Sequence, residues 1–306
     1  MKKQPLLANP GDVRIVKKLA GVYPETSASR LKRAVVEGQV TVNGRRVDDP
    51  GAFVNEKDTV AWDENARVQR RIESSLTVLF EDDDLVVVVK PAGLLTHPTE
   101  AKEKDTLQSR VSAYIAHKKK SRGYVSVVHR LDKDTSGALS FALSKRGMVL
   151  LQAQLRAHTL DRRYLAVVEG AMKGESGTYN RDLVEDRGDL RRGVAKAGEK
   201  GLSAVTRWKV VERFGTLATL VEARLETGRT HQVRLHFNHA GHPLVGEKVY
   251  RDPKKPPFPI DCPRQALHAG LLGWVGHDGV ARKVEVPLPA DFEKLLYELR
   301  RRTAKR

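Results

Sequence analysis

Two stretches of this 306-residue chain gather side chains able to hold charge or move protons. The first, Val128-His129-Arg130-Leu131-Asp132-Lys133-Asp134-Thr135-Ser136-Gly137, sets carboxylates beside cations in a turn between two apolar runs. Catalytic groups concentrate in such connections because a rigid scaffold can aim them. The same residues also make good turn chemistry, and an Asp in a turn ordinarily satisfies backbone N–H groups. Residue types alone therefore leave Asp132 open between catalyst and turn residue. The second stretch, Glu226-Thr227-Gly228-Arg229-Thr230-His231-Gln232-Val233-Arg234, reads as the end of a strand running into a helix. Arg229 would stand in the first helical turn, where the macrodipole disfavours a cation, so it calls for a carboxylate from elsewhere. Asp132 is the candidate. His231, His236, His239 and His242 raise the question of a metal, since His236 and His239 share a helix face. No acidic residue completes a ligand set, so no metal is expected.

Other chemistries lack their residues. There is no Gly-Lys dipeptide for a phosphate loop, no GxGxxG for a dinucleotide and no HExxH for zinc. One cysteine, Cys262, permits neither an internal disulfide nor a thiolate-rich zinc site. No cofactor is expected. Lys and Arg number 55 against 38 Asp and Glu, a net charge of +17, which points to a polyanionic partner. No apolar run is long enough to span a bilayer, and no basic amphipathic helix with exposed aromatics suggests a membrane surface. A cytoplasmic location and a monomer are the expectations.

The elements that must position these residues read as follows. Leu76–Phe80 and Leu85–Val89 look like strands, the second apolar throughout and so buried on both faces. A helix should follow Asp105, with Leu107, Val111, Tyr114 and Ile115 inward. Further strands are expected at Tyr124–Val128, Ala138–Leu143, Tyr164–Val168, Ala204–Val211 and Thr216–Leu225, with a helix capped by Ser144 and a last helix through Phe292, Leu295, Leu296 and Leu299. Residues 171–202 read as an exposed loop or hairpin pair with almost no core-forming residues. Strands outnumber crossover helices. The expected class is α+β, a mixed, mainly antiparallel sheet with flanking helices, preceded by a small N-terminal α/β domain.

That N-terminal domain is expected over residues 1–65, followed by a polar linker over 66–75 and the larger domain over 76–306. Val13, Ile15, Val16 and Leu19 recur at helical spacing, Thr26/Ser27/Ser29 start a second helix and Gly38 stops it, and Asn43-Gly44 turns a hairpin. The segment SASRLKRAVVEGQVTVNGRRV resembles the small RNA-binding domain named after ribosomal protein S-four. The resemblance implies that Arg30, Lys32, Arg33, Arg45 and Arg46 face RNA.

The remainder resembles the RluA-type pseudouridine synthases. The likeness rests on HRLDKDTSG, DDDLVVVVKPAGLLTHP, RRYLAVVEG, RLETGRTHQVRLHFNHAGHPLVGEKVY and RQALHAGLL, in the family's order. It implies that Asp132 is the essential carboxylate and Arg229 its ion-pair partner. Tyr164 would pack on the uracil and assist proton removal, and Arg130 would fill the helix space left by the flipped uridine. His129 and Leu267 would contact the substrate. Arg163 precedes Tyr164 where many members carry Lys. The implied reaction isomerises uridine to pseudouridine in RNA, with large-subunit ribosomal RNA favoured and transfer RNA open. It involves no net oxidation and no hydrolysis, in keeping with the missing cofactor motifs.

Overall fold

The computed structural model describes residues 12–36, 38–47, 50, 52–64, 76–99, 102–121, 123–185 and 192–304. The chain divides into two compact units, Met1–Ser75 and Leu76–Arg306. The linker expected over 66–75 lies outside the described residues.

In the first unit β1 (Asp12–Arg14) leads into α1 (Ile15–Val22) and α2 (Ala28–Val36), followed by β2 (Val40–Val42), β3 (Arg45–Val47), β4 (Phe53–Asn55) and β5 (Val60–Trp62). Ser27 accepts a hydrogen bond from the Arg30 amide at 3.3 Å, which starts α2, and Gly38 follows it at φ +67°. Asn43 and Gly44 both have positive φ, the requirement of the tightest hairpin turn, and they join β2 to β3. Ile15, Leu19, Leu31, Val35, Val40 and Val60 close a small core.

The second unit comprises β6 (Val78–Glu81), β7 (Leu85–Lys90), α3 (Leu107–Lys119), β8 (Ser126–Val127), β9 (Ser136–Ala142), α4 (Lys145–Arg156), β10 (Asp161–Glu169), β11 (Ser176–Asn180), β12 (Leu183–Val184), β13 (Gly193–Val194), β14 (Val205–Phe214), β15 (Ala218–Leu225), α5 (Gln232–His239), β16 (Leu267–Val275), β17 (Ala281–Glu285) and α6 (Ala290–Thr303). One mixed, mainly antiparallel sheet runs in the order β11-β14-β15-β10-β16-β9-β7-β6, with β17 on β16 and β8 on β9. The fold is α+β. Val86 and Val88 of β7 face a core shared with α3 and α5, while Leu85 and Val87 face a second core with Leu151 of α4. That division explains why β7 is apolar from Leu85 to Val89. Val167, Leu220 and the inner face of α6 form a third core. Among the described residues no helix is long and apolar enough to cross a membrane.

The parallel pair in this sheet is β9 against β16, registered His268 to Ser136 and Ala269 to Gly137. Gly137 has φ +123°, and a Cβ there would lie 2.2 Å from the Ala269 carbonyl oxygen. Only glycine lets the two strands approach this closely. The chain thus enters β9 directly from the charged turn, with the turn fixed against the centre of the sheet.

Three expectations change. β16 and β17 are strands that the sequence pattern does not announce, because Gly270 and Gly273 interrupt β16. The segment 171–202 does contribute to a core: Leu183 is buried with Ala204 and Leu235. The strand expected over Tyr124–Val128 is reduced to β8, since the chain leaves the ladder to carry His129 onto Ser140.

Candidate active site

The turn between β8 and β9 is held through four consecutive carbonyls. The Leu131 oxygen accepts from Thr96 Oγ1 at 2.9 Å, and the same hydroxyl accepts from the Leu131 amide at 3.2 Å. The Asp132 carbonyl accepts from the Thr135 amide at 3.1 Å, and that of Lys133 from the Gly93 amide and from Lys90 Nζ. The Asp134 carbonyl accepts from Arg264 Nη1 at 2.9 Å. Lys90 is fully buried at the end of β7 and donates also to the Pro91 and Leu94 carbonyls at 3.0 and 2.5 Å. Its burial pulls its pKa down to about 7, partly opposed by Asp132 and Asp134. With the main chain so constrained, the direction of the Asp132 side chain is set by the sheet rather than by a mobile loop.

Asp132 opens into a cleft of about 600 Å³, within the size range of small-ligand pockets. Its Oδ2 accepts from Arg234 Nη1 at 3.1 Å. Arg234 is 5% exposed, and its other edge grips Glu247 in a bidentate pair, Nε to Oε2 at 2.7 Å and Nη2 to Oε1 at 2.8 Å. Glu247 also accepts from the Val249 and Tyr250 amides at 2.9 and 3.4 Å. Burial alone would lower the Arg234 pKa, but Glu247 and Asp132 outweigh it and hold it raised. Burial pushes Glu247 up, and Arg234 more than reverses that. One guanidinium therefore fixes two carboxylates, and Glu247 is the buried one that locks it.

This geometry corrects the expected ion pair. Arg229 is exposed at the cleft, where its Nε donates to the Ser203 carbonyl at 3.0 Å. Helix α5 begins at Gln232, three residues later than Arg229, after His231 takes the left-handed conformation at φ +59°. The cation in the first helical turn is thus Arg234. The carboxylate that faces this helix start meets Arg234 and not Arg229.

The other expected residues fall as follows. Tyr164, on β10, is 6% exposed and lines the cleft with Leu267 of β16, which is 4% exposed. Burial raises the Tyr164 pKa and Arg162 partly offsets this. Arg130 is exposed at the cleft. His129 lines it too, and its Nε2 accepts from the Ser140 amide at 3.3 Å, which leaves the proton on Nδ1. Burial pushes the His129 pKa down to about 3, with Arg162 adding to the effect, so the ring is neutral. Three of the four histidines that raised the metal question meet other groups, His242 Nδ1 lying 2.9 Å from the Glu169 carbonyl. His236 meets Thr206 Oγ1 and the Arg181 carbonyl at 2.9 and 3.0 Å, and His231 Nδ1 meets the Tyr250 hydroxyl at 2.5 Å. Among the described residues no three His, Cys, Asp or Glu side chains form a metal-ligand cluster.

In the first unit Arg30, Lys32, Arg33 and Arg45 are exposed. Arg30 pairs with Glu64 at 3.0 Å and lies 5.5 Å over the Trp62 ring. The Arg46 side chain is outside the described residues.

Comparison with known proteins bears on what the cleft does. The RNA pseudouridylate synthase family matches residues 84–239, and the S4 domain matches residues 13–60. An uncharacterized RNA pseudouridine synthase of Synechocystis is 37% identical over 95% of this chain and 90% of its own length. The ribosomal large subunit pseudouridine synthase D of Salmonella typhimurium is 33% identical over 94% of this chain and 90% of its own. The chain belongs to the RluA-type RNA pseudouridine synthase family. It is an isomerase that acts on RNA, with an S4 domain at its N-terminus. The structure of human RNA pseudouridylate synthase domain containing 4 shares the fold, with a TM-score of 0.61 at 22% identity, over 73% of this chain and 93% of that one.

In this synthase four residues around the cleft escaped sequence reading: Arg234, Glu247, Lys90 and Arg162. Arg234 lies inside the same motif as Arg229, and only the start of α5 separates them. Glu247 and Lys90 stand in the family-like segments as charged residues beside apolar ones. A charge embedded in an otherwise apolar run, as Lys90 follows Leu85–Val89, was the available signal.

Proposed function

We propose that this synthase isomerises uridine in large-subunit ribosomal RNA, with Asp132 as the carboxylate that acts on the ribose of an extruded nucleotide. The observation that carries the reading is the Asp132 carboxylate in a cleft of about 600 Å³, held at 3.1 Å by a buried guanidinium. Breaking a glycosidic bond develops positive charge on the sugar, and an ionised carboxylate beside C1′ stabilises or traps it. Arg234 holds Asp132 in place. Tyr164 and Leu267 offer a ring and an aliphatic wall to a pyrimidine, and the Tyr164 hydroxyl, or a water it positions, assists removal of the proton that leaves C5 after the ring rejoins. His129, neutral with its Nδ1 proton unpartnered, forms part of the cleft wall. Arg130 at the rim occupies the stack left by the flipped base, offsetting an extrusion cost of a few kcal/mol that is smallest in loops and bulges.

Ribosomal RNA as substrate is supported by the relatives named as ribosomal large subunit synthases, which match nearly the whole chain, and by the S4 domain with exposed Lys32, Arg33 and Arg45. The test is chemical mapping of pseudouridine in total RNA from cells with and without the gene. The expected result is loss of signal at discrete large-subunit positions. Loss confined to transfer RNA, or no loss, would overturn the substrate assignment.

A further inference from the structure

Arg162 stands two residues before Tyr164 on β10, so both side chains leave the same face of the strand and both line the cleft. It is 5% exposed. Among the described residues it makes no ion pair. Its Nη2 donates to the carbonyls of Leu225, Glu226 and Thr227 at 3.3–3.5 Å, and its Nε has no partner. Its neighbour Arg163 points the other way and pairs with Asp161 at 2.8 Å. Gly228 makes room for the buried cation, since a Cβ there would lie 2.5 Å from Arg162 Nη1. A buried guanidinium without a carboxylate is costly to keep. Such a cost is tolerated where the charge is used, and the vacancy beside it is the substrate cleft.

We infer that Arg162 is a further catalytic residue, whose guanidinium stabilises the negative charge that the pyrimidine carries once it has left the sugar. This deepens the proposed function and rests on it. When the C1′–N1 bond breaks, its electron pair goes to N1 and spreads to O2 and O4. Asp132 either supplies an electron pair to C1′ or takes a proton from C2′, so in each course the ring departs as a monoanion. The ring turns, C5 forms the new bond to C1′, and Asp132 is displaced or returns its proton. The C5 proton then leaves to a base and N1 takes up a proton. Negative charge is greatest on the detached ring, and a preorganised cation in a site shielded from water acts there rather than on the bound uridine. Arg162 also partly offsets the rise that burial imposes on the Tyr164 pKa.

The experiment compares single-turnover cleavage of the target glycosidic bond by wild type, Arg162→Gln and Arg162→Lys on RNA carrying uridine or 5-fluorouridine, whose ring anion is more stable. Arg162→Gln should lower the rate on uridine about 10²- to 10³-fold, as loss of a transition-state donor does. RNA affinity should stay within a few-fold. On 5-fluorouridine the loss should shrink at least ten-fold, and Arg162→Lys should recover part of it. Equal losses on both substrates, or a loss confined to RNA affinity, would overturn the inference and leave Arg162 a strand tie. Should Arg162→Gln melt at assay temperature, Arg162→Lys alone must show the same dependence on the leaving ring, and its absence overturns the inference. Wild type that makes no pseudouridine on any RNA overturns the parent reading instead.

Discussion

At the residue scale, the site depends on how a carboxylate is held in place in a cleft. Arg234 does this from a buried position, and its own charge is held by Glu247. Arg234→Met should therefore cut product formation by two orders of magnitude or more in a single-turnover assay, because it removes the orienting charge from Asp132. Arg229→Ala, at the exposed rim, should cost only a few-fold, and equal losses would restore Arg229 to the role the motif suggested. Glu247→Ala leaves a buried guanidinium with half its partners. Denaturant unfolding of the second unit should show a loss of about 3 kcal/mol or more. His129 supplies a pH signature. Its pKa falls from the ordinary 6.5 to about 3 on folding, so the unfolded chain binds more protons between those values. Its contribution to stability is complete above pH 6.5 and is lost as the pH falls toward 3. His231, His236 and His268 are shifted down by burial in the same direction. The melting temperature should fall on acidification from pH 7 to 5, and His129→Asn should flatten that dependence.

At the scale of elements, the active turn is an extension of the sheet. β9 meets β16 in parallel at Gly137, where φ +123° and the 2.2 Å approach of a notional Cβ to the Ala269 oxygen exclude any side chain. Gly137→Ala should destabilise the second unit by about 3 kcal/mol or more and displace Asp132, so activity should fall even in the folded fraction. Circular dichroism melts together with rate per folded molecule would separate the two effects. Periodicity made β7, α3, α4 and α6 legible, since each carries an uninterrupted apolar face. β16 was hidden by Gly270 and Gly273, and the start of α5 by the left-handed turn at His231, which no spacing rule reveals. That turn is why the motif pointed at the right loop and the wrong arginine. Arg162 was invisible for a related reason: in a run of two arginines only strand alternation decides which one faces the cleft.

At the scale of the molecule, a net charge of +17 must be used against a polyanion. Affinity for RNA should fall with salt at a log-log slope of about −0.7 for each single-stranded phosphate contacted. Lys32→Glu or Arg45→Glu should reduce that slope and weaken binding without altering the rate of bound RNA, as expected for residues that grip backbone. A flat salt response would remove the RNA-facing role of this surface. On the proposed function, distributed charge gathers RNA and one constrained turn carries the reacting carboxylate. The most direct measurement is the yield of pseudouridine from Asp132→Asn with a target RNA under saturating enzyme, alongside its RNA affinity. Binding within a few-fold of wild type with no product is the expected result. Pseudouridine formed by that variant at a measurable rate would contradict the assignment of Asp132.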